Sequence, residues 1–145
     1  VSAALALVRV QADDKGVDLA AVLPPEPVAD FMVHRGYIAR DVPLLKHVVG
    51  LPGQRVCRDG RAITVDAVPL REAGDRDSQG RDLPVWQGCR TLRAGELLML
   101  NPDHADSMDG RYFGPLPAST VLGRAIPILT RDSPDAPLRW RAARP

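Results

Sequence analysis

The sequence predicts an all-β fold, an antiparallel β domain with long loops. Three observations support it: apolar residues occur in short runs of strand length, several runs alternate apolar and polar positions, and turn-forming residues are abundant. The 145 residues include 12 glycines and 14 prolines, and no segment shows a convincing amphipathic helix. This length suits one domain with its own core and leaves room for a second small β lobe.

The candidate strands follow one another between turn signals. They are residues 5–10, 19–23, 44–50, 55–58, 62–65, 97–100 and 122–129. Asp59 and Gly60 predict a hairpin turn between two of them. Exposed loops are predicted at the prolines of residues 24–27 and at the polar run 71–80. We expect one domain over residues 1–130, followed by a disordered Pro/Arg-rich tail over residues 131–145.

Net charge and hydropathy argue against two classes of protein, nucleic-acid-binding proteins and proteins with a membrane-spanning helix in this chain. The net charge is +1 at pH 7, which gives no electrostatic basis for nucleic-acid binding. No stretch approaches the roughly 18 consecutive apolar residues of a membrane-spanning helix. By themselves, these observations indicate a soluble protein that does not bind nucleic acid.

Lys46 lies inside an apolar run that ends in a turn: residues 44–53 read LLKHVVGLPG. Side chains alternate along a strand, so Lys46 shares a face with Leu44 and Val48. Burial on that face would lower the lysine pKa from about 10.4 and make a neutral amine available as a general base. The alternative is a lysine on an edge strand that blocks strand pairing, with its ammonium in water.

A second segment, residues 101–116, gathers acids, turn formers and one arginine after the apolar strand 97–100. Asp109 and Arg111 lie on one side of an extended chain. This loop has two alternative interpretations: a metal site built from its acids and His104, and a Ser/His/Asp hydrolase that uses Ser107 and His104. Neither has a matching motif, because there is no calcium-loop spacing and no G-x-S-x-G elbow.

Together the two segments resemble the type I signal peptidases, the membrane-bound Ser/Lys proteases. The family's lysine box has the form K-R-V-V-G-L-P-G-D, and residues 46–54 read KHVVGLPGQ. Its later box has the form S-x-D-S-R-x-x-G-x-V, and residues 107–116 read SMDGRYFGPL. RGYI at residues 35–38 is similar to the TraF-type branch of conjugative transfer systems. The resemblance covers residues 15–130.

The resemblance implies roles for five residues. Ser2, which is the only serine before Lys46, would be the nucleophile and Lys46 its general base. Ser107 would orient the Lys46 amine, and Asp109 paired with Arg111 would support the Ser107 loop. The family pattern around the nucleophile is absent at Ser2, so the alternative is a true serine upstream of this chain.

Cys57 and Cys89 are the two cysteines. A disulfide between them would contribute about 3.5 kcal/mol in the chain-entropy model and would suit an oxidising compartment. Two unlinked thiols are the alternative. Zinc is not indicated, because neither cysteine has ligands at zinc spacing.

The resemblance further implies a serine endopeptidase, without a cofactor or metal, that processes an exported protein such as a conjugative pilin precursor and can cyclise it by aminolysis. The family is anchored in the inner membrane with its catalytic domain in the periplasm, so we expect this chain to be the soluble part of a longer protein. The alternatives are a general leader peptidase and a non-catalytic peptide-binding module of the same fold.

Overall fold

The computed structural model describes residues 18–124, 129–130, 135 and 139–140. These residues form mostly antiparallel β structure, which confirms the predicted fold class. The strands are β1 (Asp18–Val22), β2 (Leu44–Gly50), β3 (Arg55–Asp59), β4 (Ala62–Val65), β5 (Val68–Pro69), β6 (Gly88–Thr91), β7 (Glu96–Leu100), β8 (Leu116–Pro117), β9 (Val121–Arg124), β10 (Leu129–Thr130) and β11 (Arg139–Trp140). The helices are α1 (Glu26–His34) and α2 (Gly110–Phe113), and a 3-10 turn spans Ala118–Thr120.

Two larger antiparallel sheets organise the described residues, in addition to the two-stranded pair β10-β11. The first has the order β8-β7-β2-β1-β9, and the second has the order β5-β4-β3-β6. Strand β7 belongs to the first sheet but packs on both sides: Leu97 and Met99 enter one core cluster, and Leu98 and Leu100 enter the other. Burial on both faces explains why this strand reads as an unbroken apolar run in the sequence.

Several predicted strands match the observed ones. Strands β2 and β4 have the predicted bounds, and the turn between β3 and β4 follows Asp59, which pairs with Ala62. Gly60 opens that turn with a φ of 59°, a conformation that glycine adopts without strain. Strands β5 and β6 were not predicted, because all their residues are exposed and carry no burial pattern. The predicted strand 5–10 lies outside the described residues.

The expectation of an exposed loop at residues 24–27, and of no amphipathic helix in the chain, was wrong. Helix α1 begins at Glu26, and Pro27 lies in its first turn. Proline lacks a backbone N–H, but N–H groups in the first turn have no acceptor within the helix, so none is lost. Pro25 accepts the backbone hydrogen bond of Ala29, and Met32 is buried in the core. The prolines therefore mark the start of a helix rather than a loop.

Two other loop predictions need correction. The run 71–80 is mostly exposed, but Ala73 is buried and the Asp77 side chain is only 7% exposed. In the predicted tail, β11 pairs with β10, so that part of the tail has regular structure. Neither helix in the described ranges has the length and apolar character needed to cross a membrane.

Candidate active site

Lys46 lies on an inner strand and is buried. Strand β2 pairs with β1 on one side and with β7 on the other, and Lys46 is directly opposite Ala20 of β1. Leu44, Lys46 and Val48 share the buried face, as the alternation predicted, and Lys46 is only 6% exposed. The edge-strand interpretation of this lysine is therefore wrong.

Ser107 comes next to Lys46 because of the pairing of β2 with β7. His47 pairs with Leu100, the last residue of β7, so the chain leaves the sheet beside Lys46 and enters the loop that carries Ser107. The Lys46 Nζ atom lies 2.6 Å from Ser107 Oγ. Two segments 61 residues apart thus meet in one hydrogen bond.

A buried ion pair fixes the Ser107 loop. Asp109 and Arg111 are both fully buried, and Arg111 donates Nε to Oδ1 at 2.9 Å and Nη2 to Oδ2 at 2.8 Å. This two-pronged geometry is the strong form of an arginine–carboxylate contact. Asp109 also accepts the backbone N–H groups of Asn101 and Arg111, so one carboxylate bonds the start and the end of the loop.

Arg111 also donates hydrogen bonds to three backbone carbonyl oxygens. Nη2 reaches His104 O and Ser107 O, and Nη1 reaches Glu72 O at 3.2 Å. Arg58 in turn donates to the carbonyl of Arg111. These contacts satisfy the buried guanidinium and attach the Ser107 loop to the segment around Glu72.

The electrostatic setting of Lys46 favours the neutral amine. Burial lowers the pKa of Lys46. Among the nearby charges, Asp109 raises this pKa and Arg111 lowers it, so the two members of the ion pair have opposite effects on the Lys46 pKa. An amine with a lowered pKa can accept a proton from a hydroxyl group near neutral pH.

Lys46 and Ser107 line an open cleft of about 500 Å³. Its buried wall is mainly apolar and includes Met32, Leu44, Met108 and Tyr112. Met32 reaches the cleft from α1, the helix that the sequence analysis missed. The cleft is large enough for several residues of an extended peptide, with the lysine amine at its wall.

A second set of residues, the Asp77 cluster (Arg35, Tyr37, Asp77 and Arg81), lies at the same cleft. Asp77 Oδ2 accepts hydrogen bonds from Tyr37 Oη and Arg81 Nε, both at 2.7 Å. Arg81 also donates to Arg35 O, and Arg35 donates to Asp82 O. The cluster joins the end of α1 to the loop 75–82, and Tyr37 and Asp77 themselves line the cleft.

The pKa of Asp77 lies well below its ordinary range. Desolvation raises it, but the hydrogen bonds from Tyr37, Arg81 and Gln79 together lower it further. No pattern in the sequence indicates this cluster, because its members are polar residues in two segments without periodicity.

The turn after β2 explains two features of the lysine box. A Cβ on Gly50 would lie 2.8 Å from Leu98 Cβ, so only glycine fits there against β7. Gln54 stands where the family form has aspartate, and its Oε1 accepts the Leu51 N–H while its Nε2 donates to Asp66. The glutamine side chain therefore bonds the turn that follows β2 to the residue that follows β4.

The sequence-predicted residues Lys46, Ser107, Asp109 and Arg111 therefore lie together, and Ser2 lies outside the described residues. The hydroxyl of Ser107 bonds Lys46 and Asn101, while the His104 side chain lines a smaller cavity of about 200 Å³ with His47. Within the described ranges, no three His, Cys, Asp or Glu side chains are grouped closely enough to bind a metal ion. The geometry favours neither the metal nor the Ser/His/Asp alternative.

Cys57 and Cys89 face each other across the β3–β6 pair and form a disulfide. Neither cysteine lines the cleft. The disulfide therefore ties two strands of the second sheet and does not contact Lys46.

The fold and the site define a class of β-rich proteins in which a buried lysine amine faces an open cleft and is bonded by a serine. The chain belongs to the signal peptidase family, peptidase S26, whose family model matches residues 7–130. This match also agrees with the two sequence boxes.

The relatives indicate the TraF-type branch of this family. The chain is 32% identical over 133 residues to the probable conjugal transfer protein TraF of Sinorhizobium fredii, covering 86% of this chain and 69% of that protein. It is 39% identical over 106 residues to the conjugal transfer protein TraF of Agrobacterium fabrum, covering 68% of this chain and 58% of that protein. A solved signal peptidase I from Enterococcus faecalis aligns at 19% identity and a TM-score of 0.44, over 75% of this chain and 93% of its own.

Proposed function

We propose that the protein is a serine endopeptidase in which Ser2 is the nucleophile and Lys46 the general base. The observation that carries the proposal is the buried Lys46 amine, bonded to Ser107 at the wall of an open cleft. Burial of a lysine amine costs free energy of folding. A general base with a lowered pKa is a functional reason to keep this lysine buried.

The reaction follows acyl-transfer chemistry. Ser2 Oγ attacks the carbonyl carbon of the scissile peptide bond, and Lys46 Nζ takes the hydroxyl proton. The tetrahedral intermediate collapses, the peptide C–N bond breaks, and Lys46 gives its proton to the leaving amine. Water then attacks the acyl-enzyme, again with Lys46 as base, and restores Ser2. The backbone N–H of Ser2 is our candidate for one oxyanion donor.

Ser107, Asp109 and Arg111 support this chemistry without contacting the substrate carbonyl. Ser107 Oγ accepts a hydrogen bond from Lys46 and limits the directions in which the amine points. The Asp109–Arg111 pair keeps the Ser107 loop in place through its backbone contacts. These roles predict a large loss of kcat for Lys46 variants and smaller losses for variants of Ser107, Asp109 and Arg111.

For the substrate, we propose an exported protein, such as the precursor of a conjugative pilin. Support comes from the relatives named as conjugal transfer proteins. In that setting the acyl-enzyme can also be attacked by the amino terminus of the same chain, which cyclises the product instead of hydrolysing it. The proposal includes an inner-membrane anchor, a periplasmic catalytic domain and no cofactor.

The test uses the full natural protein and a pilin-like peptide. We expect Ser2→Ala and Lys46→Ala each to reduce cleavage by a factor of at least about 100, whereas Ser119→Ala, a change at an exposed serine, leaves it unchanged. Mass spectrometry after acid quenching should find the acyl group on Ser2. An acyl group on another serine would move the nucleophile.

The same assay separates the remaining alternatives. Cyclisation predicts that an added peptide amine competes with water for the acyl-enzyme in proportion to its concentration, whereas a pure hydrolase gives only the free acid. Peptide binding without any turnover, in the wild type as well as in Lys46→Ala, would indicate the non-catalytic binding module and overturn the peptidase proposal.

A further inference from the structure

Asn101 joins the buried ion pair to the Ser107 hydroxyl, whereas Arg111 itself bonds only the backbone carbonyl of Ser107. Its backbone N–H donates to Asp109 Oδ2 at 2.9 Å, and its side-chain Nδ2 donates to Ser107 Oγ at 3.1 Å. It is the first residue after β7, and the β2–β7 register brings it beside Lys46. Neither sequence box includes it.

The two bonds form a continuous series of contacts. Arg111 binds Asp109, Asp109 fixes the backbone of Asn101, the Asn101 amide binds Ser107, and Ser107 binds Lys46. The buried ion pair therefore reaches the lysine amine through the side chain of Asn101. Ser107 can accept both donors at once, because a hydroxyl oxygen has two lone pairs.

The Asn101 amide restricts the Ser107 side chain. A serine side chain has three staggered χ1 positions, and in the observed one Oγ lies 2.6 Å from Lys46 Nζ and 3.1 Å from Asn101 Nδ2, so both bonds favour that position. When Lys46 donates an N–H to an Oγ fixed in this way, the lone pair of the neutral amine is left for the nucleophile. A Ser107 free to rotate would orient the amine for only part of the time.

We propose that Asn101 is a positioning residue for Lys46, acting through the hydroxyl of Ser107. This inference rests on the proposed peptidase function. Asn101 lines the smaller cavity of about 200 Å³ with His47 and His104, on the other side of β2 from the cleft. It is placed to set the direction of the base without touching the substrate.

The first variant is Asn101→Leu, because leucine fills the space of asparagine but donates no hydrogen bond, and the backbone bond to Asp109 remains. We expect kcat to fall by about two- to tenfold, the usual effect of one hydrogen bond, with KM within twofold of the wild type. Leu45→Ala, which removes another side chain from the lining of the same small cavity, is the matched control and should leave both constants unchanged.

The second variant, Asn101→Asp, gives a readout that a purely structural role would not change. Its carboxylate cannot donate to Ser107 and adds a negative charge near Lys46, so the acidic limb of the kcat/KM–pH profile should move to higher pH. The wild-type and variant profiles share the same other charges facing Lys46: those of Asp109 and Arg111, and at the cleft those of Glu72, Arg76, Asp77 and Asp106.

The outcomes distinguish this inference from the proposed function. If Lys46→Ala abolishes cleavage but Asn101→Leu retains the wild-type kcat and Asn101→Asp the wild-type pH profile, the role of Asn101 is refuted and the peptidase stands. If Lys46→Ala cleaves normally, the proposed function itself fails. A lower kcat together with a shifted pH limb supports the inference.

Discussion

Lys46 Nζ and Ser107 Oγ lie 2.6 Å apart, although 61 residues separate them in the chain. The contact exists because β2 and β7 are antiparallel neighbours, and the loop with Ser107 starts where β7 ends. The lysine is thus bonded by a loop that is itself fixed by a buried ion pair.

Lys46→Met should abolish activity and stabilise the fold at neutral pH. The native pKa of Lys46 is lowered, so the unfolded chain binds more protons and wild-type stability rises with pH up to the ordinary lysine pKa of about 10.4. Methionine does not titrate. The stability advantage of the variant, about 0.5–2 kcal/mol near pH 7, should therefore shrink as the pH approaches 10.

Urea unfolding of the two proteins between pH 6 and pH 10 measures this difference. Lys46→Arg is the control with the opposite expectation, because a buried guanidinium keeps its charge and should destabilise the fold at every pH in that range. A destabilised methionine variant would show that burial of the lysine costs no stability.

Arg111→Met should destabilise the protein by about 3–5 kcal/mol, because it leaves the Asp109 carboxylate buried without its partner. Arg40→Met is the matched control. Arg40 and Asp30 are also 2.8 Å apart, but both side chains are more than half exposed, so the expected cost is below about 1 kcal/mol. Similar denaturant midpoints for the two variants would contradict the structural role of the buried pair.

Gly110→Ala should cost about 1–3 kcal/mol through overpacking. An added Cβ would lie 2.7 Å from Leu98 Cδ1 and 2.8 Å from the carbonyl oxygen of Met99, and the backbone of β7 cannot move freely. In Gly123→Ala the new Cβ meets nothing within 4 Å, so we expect a change within about 0.5 kcal/mol. Differential scanning calorimetry compares the two, and an unchanged Tm for Gly110→Ala would refute the close packing.

Asp77→Asn should loosen the loop 75–82 and lower the Tm at neutral pH. The pKa of Asp77 is depressed in the folded protein, so its stabilisation is fully present above the unfolded value of about 3.9 and is lost as the pH falls towards the folded value. The difference in Tm between wild type and variant should stay constant from pH 5 to 8 and narrow below about pH 4.

Asp82→Asn is the control for this loop, because the Asp82 side chain is 86% exposed in its pair with Arg76 and should have little effect. An Asp77→Asn protein with wild-type Tm at pH 7 would show that the Asp77 cluster does not stabilise the loop at the cleft.

Local patterns were enough for much of the fold and part of the site. Alternation along residues 44–50 predicted both the strand and the buried face of Lys46, because side chains on a strand alternate with a period of two. Helix α1 was not predicted, because clustered prolines favour a loop, although the first turn of a helix also accepts proline. Asn101 was missed for a different reason: its bonds to Asp109 and Ser107 depend on how the loop folds back.

The sequence by itself determined the β class, the strand that carries Lys46, and the two boxes that resemble a signal peptidase. These properties depend on residue type and short-range periodicity. Only the tertiary structure decided that Lys46 lies on an inner strand and is bonded to Ser107, and that Met32, Tyr37 and Asp77 line the cleft. It also decided that Asn101 links the ion pair to the serine. The physical reason is that these contacts join segments tens of residues apart, and their geometry is set by strand pairing and packing rather than by local sequence.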